Sequence, residues 1–393
     1  MPSLFDTFHT EASLTQYGGR LSQFGGVRLI RLEDGPARGV RVLEFDTGSG
    51  LRFDVAVDRA MDISAMSHNG RPVGWQSPTG IKAPAPSGGE DDGGLGWMRG
   101  FSGLLATCGL DHIGGPEVVP AANYNYPRKE NVQHSLHGRI ANCPARLVGF
   151  GERWEADNCI LWAEGIVEQT SVFGEVLHLH RKIEADLGGN ALRLNDRVVN
   201  AGHALTPHML MYHINFGHPV VDEGARYIAP ISDVTWAAHT LEAQGVGYDR
   251  CPPPIDGFAE QVWEHQLAHD HNGMTRVALV NDRLEFGVEV TTDTRQLPCS
   301  FQWQNFQSGQ YAFAIEPSTH HAKGNLFARS RDEMIWLSAG ESRTYDLTIA
   351  VLDGRDRIAA AEQHIRAIGS QPDVRYPKPS NNFKRLNPQR NPT

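Results

Sequence analysis

The feature that most constrains this chain is its succession of short segments in which apolar and polar residues alternate, separated by glycine-rich turns. Alternation with a period of two is what a half-buried strand presents, because successive side chains leave opposite faces of a sheet. Residues 39–46 (GVRVLEFD) and 51–57 (LRFDVAV) alternate around Thr47-Gly48-Ser49-Gly50, which predicts a hairpin. Residues 61–67 and 72–75 flank His68-Asn69-Gly70-Arg71, whose Asn-Gly pair suits a turn with positive φ. A meander is predicted over 160–172, 176–186 and 190–199, and the pattern returns at 275–281, 285–291, 300–306, 310–316 and 343–352. Helical spacing is scarce. A short helix is predicted within 4–16, a helix or loop at 100–107, and a longer helix over 355–368 (RDRIAAAEQHIRAI) that Gly369 stops. Strands without strand–helix alternation predict an all-β, antiparallel sandwich or barrel.

Length sets the domain count. The 393 residues would ordinarily suggest two domains, but a large sandwich can use them as one, here read as 1–369. Residues 78–97 (PTGIKAPAPSGGEDDGGLGW) read as a long loop or lid. Residues 370–393 read as an irregular tail on the surface or on a partner subunit, which leaves a homo-oligomer open. The net charge of −10 argues against nucleic acid, whose phosphates need a basic face. No run approaches the apolar length of a membrane-spanning helix. The first residues, MPSLFDTFHTEASL, lack a basic stretch followed by an apolar one, so no signal peptide is expected. Five scattered cysteines (108, 143, 159, 251 and 299) form no CxxC pair and predict reduced thiols in a cytoplasmic protein.

Chemistry concentrates in the 18 histidines, which cluster. Histidine titrates nearest neutrality, so grouped histidines suit proton transfer. Four patterns carry the candidates. In Val57-Asp58-Arg59-Ala60-Met61-Asp62, Arg59 either forks onto ligand hydroxyls or pairs with Asp58 or Asp62. In 107–116 (TCGLDHIGGP), Asp111 and His112 lie among glycines that suit either close ligand approach or a tight turn. The third is Leu136-His137-Gly138-Arg139. The fourth joins Tyr212-His213-Ile214-Asn215-Phe216-Gly217 with Ala314-Ile315-Glu316-Pro317. Alternation puts His213 and Asn215 on one face, and Ala314 and Glu316 on one face, with Pro317 expected to end the strand.

These patterns, in this order, resemble the aldose 1-epimerase (galactose mutarotase-like) superfamily, and more closely a bacterial branch known as a domain of unknown function. VDRAMDI, GLLATCGLDHIGGP, LHGRI, MYHINFGHP and IEPSTHHAKG carry the resemblance, over roughly residues 35–352. It implies an antiparallel β-supersandwich with an open sugar cleft and a small-molecule sugar substrate. It implies Glu316 as general base, His213 as general acid, His137 as a charge-stabilising partner, and Arg59, more loosely, on an early strand. With Asp111, His112 and Trp303 as further substrate-binding candidates, the expected activity is isomerase chemistry: anomer interconversion with no cofactor. The chain departs from the galactose enzymes at Arg139, where they carry a second glycine, and in having no clear match for their hydroxyl-binding aspartate. Two alternatives are weighed. A divalent metal held by His112, His208, His213 and Glu316 would make a metal-assisted isomerase, epimerase or lyase. A non-catalytic carbohydrate-binding protein is the other, since a fold alone does not establish catalysis.

Overall fold

The computed structural model describes residues 1–387 except 5–6, 85–89, 122–128, 239–244, 322 and 375. Within them the predicted meanders appear as antiparallel ladders. An eight-stranded sheet takes in the strands Asn158–Thr170, Val176–Asp186, Ala191–Asn200 and Ser342–Asp353, continuing through Phe286–Asp293 and Met274–Asn281. A seven-stranded sheet contains Gln261–Leu267, Cys299–Asn305, Ala312–Ser318 and Thr206–Phe216 as consecutive neighbours, with Leu105–Leu110 also paired to Thr206–Phe216. A five-stranded sheet holds the N-terminal hairpins, Arg41–Asp46 with Leu51–Ala56 and then Asp62–His68.

One hydrophobic cluster fills the space between these layers, joining Leu161, Leu179 and Leu194 to Tyr212, Ile214 and Ile315 and to Phe45 and Phe53. A second cluster (Trp75, Phe101, Met209, Met211, Phe301, Trp303, Ala314) lies on the opposite face of the seven-stranded sheet. That is why every residue of Thr206–Phe216 is buried: the strand is covered on both faces.

The helix Arg355–Ile368 forms as predicted and buries Ile358, Ala361 and Ile365 against Ile228, Ala278 and Val280. The N-terminal helix is Glu11–Tyr17, capped by Thr10. The helix-or-loop expectation at 100–107 holds as a loop over 100–104 and is corrected beyond it: Leu105–Leu110 is a strand, buried throughout. Burial on both faces erases the polar half of its alternation, so its sequence no longer shows a strand's period. All five cysteines are free thiols. The described part of the tail lies on the chain itself. Ser380 and Asn381 donate backbone N–H groups to the carbonyls of Val234 and Thr235, and Leu386 is buried.

Arg181 joins the layers. It projects from Val176–Asp186 and is 1% exposed. Its guanidinium donates to Asp196 at 2.7 Å, to Asp62 at 2.8 Å, to Thr107 Oγ1 at 2.9 Å and to the Ala60 carbonyl at 3.0 Å. Tyr212 O–H donates to Asp196 at 2.8 Å. Removing the cation leaves two buried carboxylates unpaired. Arg181→Met is therefore expected to lose about 3–5 kcal/mol of stability, as breaking a buried ion pair does. Urea denaturation of wild type and variant measures it.

Candidate active site

The antiparallel register brings His213 and Glu316 together. Strands Thr206–Phe216 and Ala312–Ser318 pair Met211 with Ser318 and Ile214 with Ile315, and no pair is formed between those two points. The gap falls opposite Pro317, which brings no N–H to the ladder. Pro317 does not end the strand as expected, because it still pairs with Ser300 on the other side. His213 and Glu316 face each other across this gap, with His213 Nε2 3.1 Å from Glu316 Oε1. The approach is out of line for a hydrogen bond, so Oε1 is a buried oxygen without one. Such oxygens are rare in folded proteins, and one in a cleft points to a ligand group.

The imidazole is held by its other nitrogen. His213 Nδ1 meets Asn215 Oδ1, and the Asn215 amide nitrogen donates to the carbonyls of Gly103 and His213 at 3.1 Å each. With its nitrogen so committed, Asn215 presents its oxygen to Nδ1. The His213 proton then sits on Nδ1, and Nε2, the nitrogen nearer Glu316, carries the lone pair. Rings surround it: Phe101 at 4.7 Å, Trp303 at 5.5 Å, Trp97 at 5.8 Å and His137 at 5.9 Å.

His137 approaches from the Leu136-His137-Gly138 turn. It takes positive φ, as does Gly138, where a Cβ would come within 2.3 Å of the Gly109 carbonyl oxygen. Only glycine fits there. The Gly114 N–H donates to His137 Nδ1 at 3.3 Å, which leaves the ring proton on Nε2. His137, His213 and Glu316 line a cleft of about 650 Å³ whose walls include Trp75, Trp97, Phe101, Trp236, Phe258 and Trp303. The predicted long loop supplies part of this wall through Pro78, Thr79 and Trp97, while its residues 85–89 lie outside the described set.

Electrostatics in the cleft reverse the expected protonation. Burial raises the Glu316 carboxyl to about 8, with a further push from Glu260, whose carboxylate accepts from Trp303 Nε1 at 2.8 Å. Burial lowers His213 to about 3, and burial likewise holds His137 well below its ordinary value. No cation offsets the desolvation of Glu316 and no carboxylate that of the two imidazoles, so the neutral forms win. Near neutral pH the cleft therefore presents a protonated Glu316 and two neutral imidazoles.

Other predicted residues lie elsewhere. Arg59 makes neither expected ion pair: Asp58 pairs with Arg41, and Asp62 with Arg181. Its guanidinium donates to the Gly100 carbonyl at 3.2 Å, outside the cleft lining. Asp111 accepts from Gln169 at 2.8 Å and lines a separate cavity of about 580 Å³ with His134, Arg139 and Glu175. His112 is held by the Gly115 carbonyl at 2.7 Å and stacks on His134. His208 sits five residues from His213, on the opposite face of the strand. Both of its nitrogens are engaged, by the Leu110 carbonyl at 2.8 Å and the Tyr345 hydroxyl at 2.7 Å. The proposed metal set of His112, His208, His213 and Glu316 is therefore not brought together. Glu260 and the wall of Trp75, Trp97 and Phe101 escaped the sequence reading. The density of tryptophan and phenylalanine between 75 and 101 was the available signal.

The chain matches a family model described as a domain of unknown function (DUF4432) over residues 37–351. No curated protein matches it in sequence. Among solved structures, it is similar to a Klebsiella pneumoniae protein named a "putative aldose 1-epimerase", with 27% identity, 90% of each chain covered and a TM-score of 0.79. A Clostridium acetobutylicum galactose mutarotase-like protein shares 13% identity over 83% of this chain and 98% of its own, with a TM-score of 0.53. That second likeness bears on the fold alone.

The raised Glu316 pKa has a consequence for stability. The folded state keeps a proton that the unfolded chain releases, so this contribution is whole below pH 4.5 and is lost as pH rises through about 8. His213 acts in the other sense: its contribution is whole above pH 6.5 and is lost as pH falls toward about 3. Glu316→Gln cannot ionise and escapes the alkaline loss. Its stability relative to wild type is expected to rise by about 1 kcal/mol per pH unit between 4.5 and about 8, read from urea denaturation across that range.

Proposed function

The chain belongs to the DUF4432 family, a domain of unknown function, and from that premise we propose that it is a carbohydrate-active isomerase that interconverts sugar anomers by opening and reclosing the hemiacetal ring. The observation that carries the proposal is the pairing of a buried protonated carboxyl, Glu316, with a neutral imidazole, His213, 3.1 Å apart in an aromatic-walled cleft. The name of the Klebsiella neighbour supports the same reaction class.

Ring opening needs an acid at the ring oxygen and a base at the anomeric hydroxyl. The raised Glu316 and lowered His213 support taking these roles in the opposite order from the sequence expectation. Glu316 gives its proton to the ring oxygen as the bond to the anomeric carbon breaks. His213 Nε2 takes the proton of the anomeric hydroxyl as the carbonyl forms. The pair is left as carboxylate and imidazolium. Rotation of the open chain presents the other carbonyl face, and reclosure returns both protons. Groups whose pKa values are pushed apart by their surroundings suit such paired roles. His137, a neutral donor, stabilises the oxygen that gains charge, and the Trp303 ring, with Trp75 and Trp97, stacks on the sugar's apolar face.

The cleft also favours a neutral sugar. Among the described residues lining it there is no lysine or arginine to meet a phosphate or carboxylate. Arg139 is paired with Glu175, and Lys129 lines the separate cavity. Arg128 lies outside the described residues.

Glu316→Gln and His213→Asn are each expected to slow catalysed anomer interconversion by about 10²-fold or more, the usual contribution of a positioned proton transfer. NMR or polarimetry of freshly dissolved α-anomers measures this. Equal rates for wild type, both variants and buffer across a panel of neutral sugars would sink the proposal. With Glu316 as the acid, the wild-type rate should fall as pH rises through about 8. A rate that climbs through that value would return the base role to Glu316.

A further inference from the structure

The seven-stranded sheet carries a second polar cluster on the same face as Glu316. Glu264 stands opposite Phe301, and Phe301 stands opposite Glu316, so the three form one row across neighbouring strands. Cys299, two residues before Phe301, shares that face, and His321 follows the strand Ala312–Ser318. Glu264, Cys299 and His321 are all buried, and each places a ligand-type atom within 4.8 Å of the other two. Among the described residues they are the one group of histidine, cysteine and carboxylate so arranged.

We propose that Glu264, Cys299 and His321 bind a zinc ion that fastens the C-terminal tail to the sheet. The tautomer of His321 is the first support. Its Nε2 lies 3.1 Å from the Lys384 carbonyl oxygen, a contact that requires the proton on Nε2. The Nδ1 lone pair of the neutral ring then points at a Glu264 carboxylate oxygen and lies 3.6 Å from Cys299 Sγ. Three lone-pair donors aimed at one another need a positive centre between them. A histidine whose other ring N–H is fixed by a carbonyl is also the usual outer arrangement of a metal-bound imidazole.

The second support is Glu264 Oε2, a buried oxygen with no hydrogen bond. It can bind the ion alongside the first oxygen as a bidentate carboxylate, closing the coordination without solvent. The donor set of nitrogen, sulfur and oxygen is one that zinc accepts. A zinc ion with typical bond lengths holds a sulfur and a nitrogen ligand about 3.3–3.8 Å apart, so the Cys299–His321 separation already fits, while the closer His321–Glu264 contact opens to admit the ion. On binding, the Cys299 thiol gives its proton to solvent as the zinc–sulfur bond forms, and uptake strengthens as pH rises. Burial on all sides makes the site structural. It joins Gln261–Leu267, Cys299–Asn305 and the turn after Ala312–Ser318 to the tail, where the Phe383 ring meets His321 at 5.1 Å.

The rival is a proton in place of the ion, giving an imidazolium–carboxylate pair beside a neutral thiol. Full-length protein without a histidine tag, produced with added zinc and dialysed, separates the two. Elemental analysis should find about one zinc per chain in wild type and in Glu316→Gln, and about tenfold less in Cys299→Ser and His321→Gln, since a structural site needs its full ligand set. Cobalt added to chelator-stripped wild type should give a thiolate-to-cobalt absorption band, a reading that needs no variant to fold. Folded wild type that retains no zinc and shows no such band overturns the proposal. So does Cys299→Ser with wild-type zinc content. Neither result bears on Glu316, because anomer interconversion is assayed separately.

Discussion

The buried guanidinium of Arg181 is the constraint on which the site depends. It rises from the eight-stranded sheet, grips Asp196 on the adjacent strand, and reaches Asp62 of the five-stranded sheet and Thr107 of the seven-stranded sheet. Thr107 stands opposite Tyr212 in the ladder, and Tyr212 donates to Asp196. The residue after Tyr212 is His213, facing the other way. The polar network under the strand thus fixes the backbone that aims the imidazole above it. A buried ion-pair network of this kind contributes little net stability over replacement of all its members together by apolar groups of the same shape. Its value here is geometric, because each partner comes from a different sheet and only one arrangement satisfies them all.

On the cleft side the opposite policy holds. Glu316 has no cation and one oxygen without a hydrogen bond, and His213 is ringed by aromatic faces. Desolvation therefore dominates both groups, pushing one carboxyl up and one imidazole down against the opposing hydrogen bond of Asn215. The two faces of a single strand are tuned by the same physics with different partners: charge compensated below, charge suppressed above. The break in the ladder at Pro317 helps, since it leaves His213 and Glu316 free of the tight pairing that holds their neighbours.

Much of this was legible in the sequence, and the failures have identifiable causes. The meanders, the helix Arg355–Ile368 and the shared face of His213 and Asn215 follow from periodicity, which depends on one strand at a time. That Glu316 lies opposite His213 depends on register between strands about a hundred residues apart, and here the family resemblance supplied what periodicity could not. Arg59 misled because a charged triplet at a strand end fits a ligand fork and a structural hydrogen bond equally well. Asp111 and His112 misled because their glycine-rich surroundings serve a tight turn. His208 was an avoidable error: an odd separation from His213 along a strand puts the two on opposite faces. Arg181 gave no local sign, because nothing in VLHLHRKIEAD marks one of its charges as buried.

The row Glu264–Phe301–Glu316 shows how one sheet face can hold two carboxylates in different states. Phe301 separates them and is itself fully buried, so neither is screened by solvent. Burial raises both, but at Glu264 positive charge nearby, from Lys323 and from the ion or proton shared with His321, opposes the rise. At Glu316 the charged neighbour that acts on it among the described residues, Glu260, pushes the same way as burial. A fold that needed two stable buried carboxylates would partner both. Leaving one without compensation costs stability with no structural return, which is the signature expected where a proton is kept for transfer.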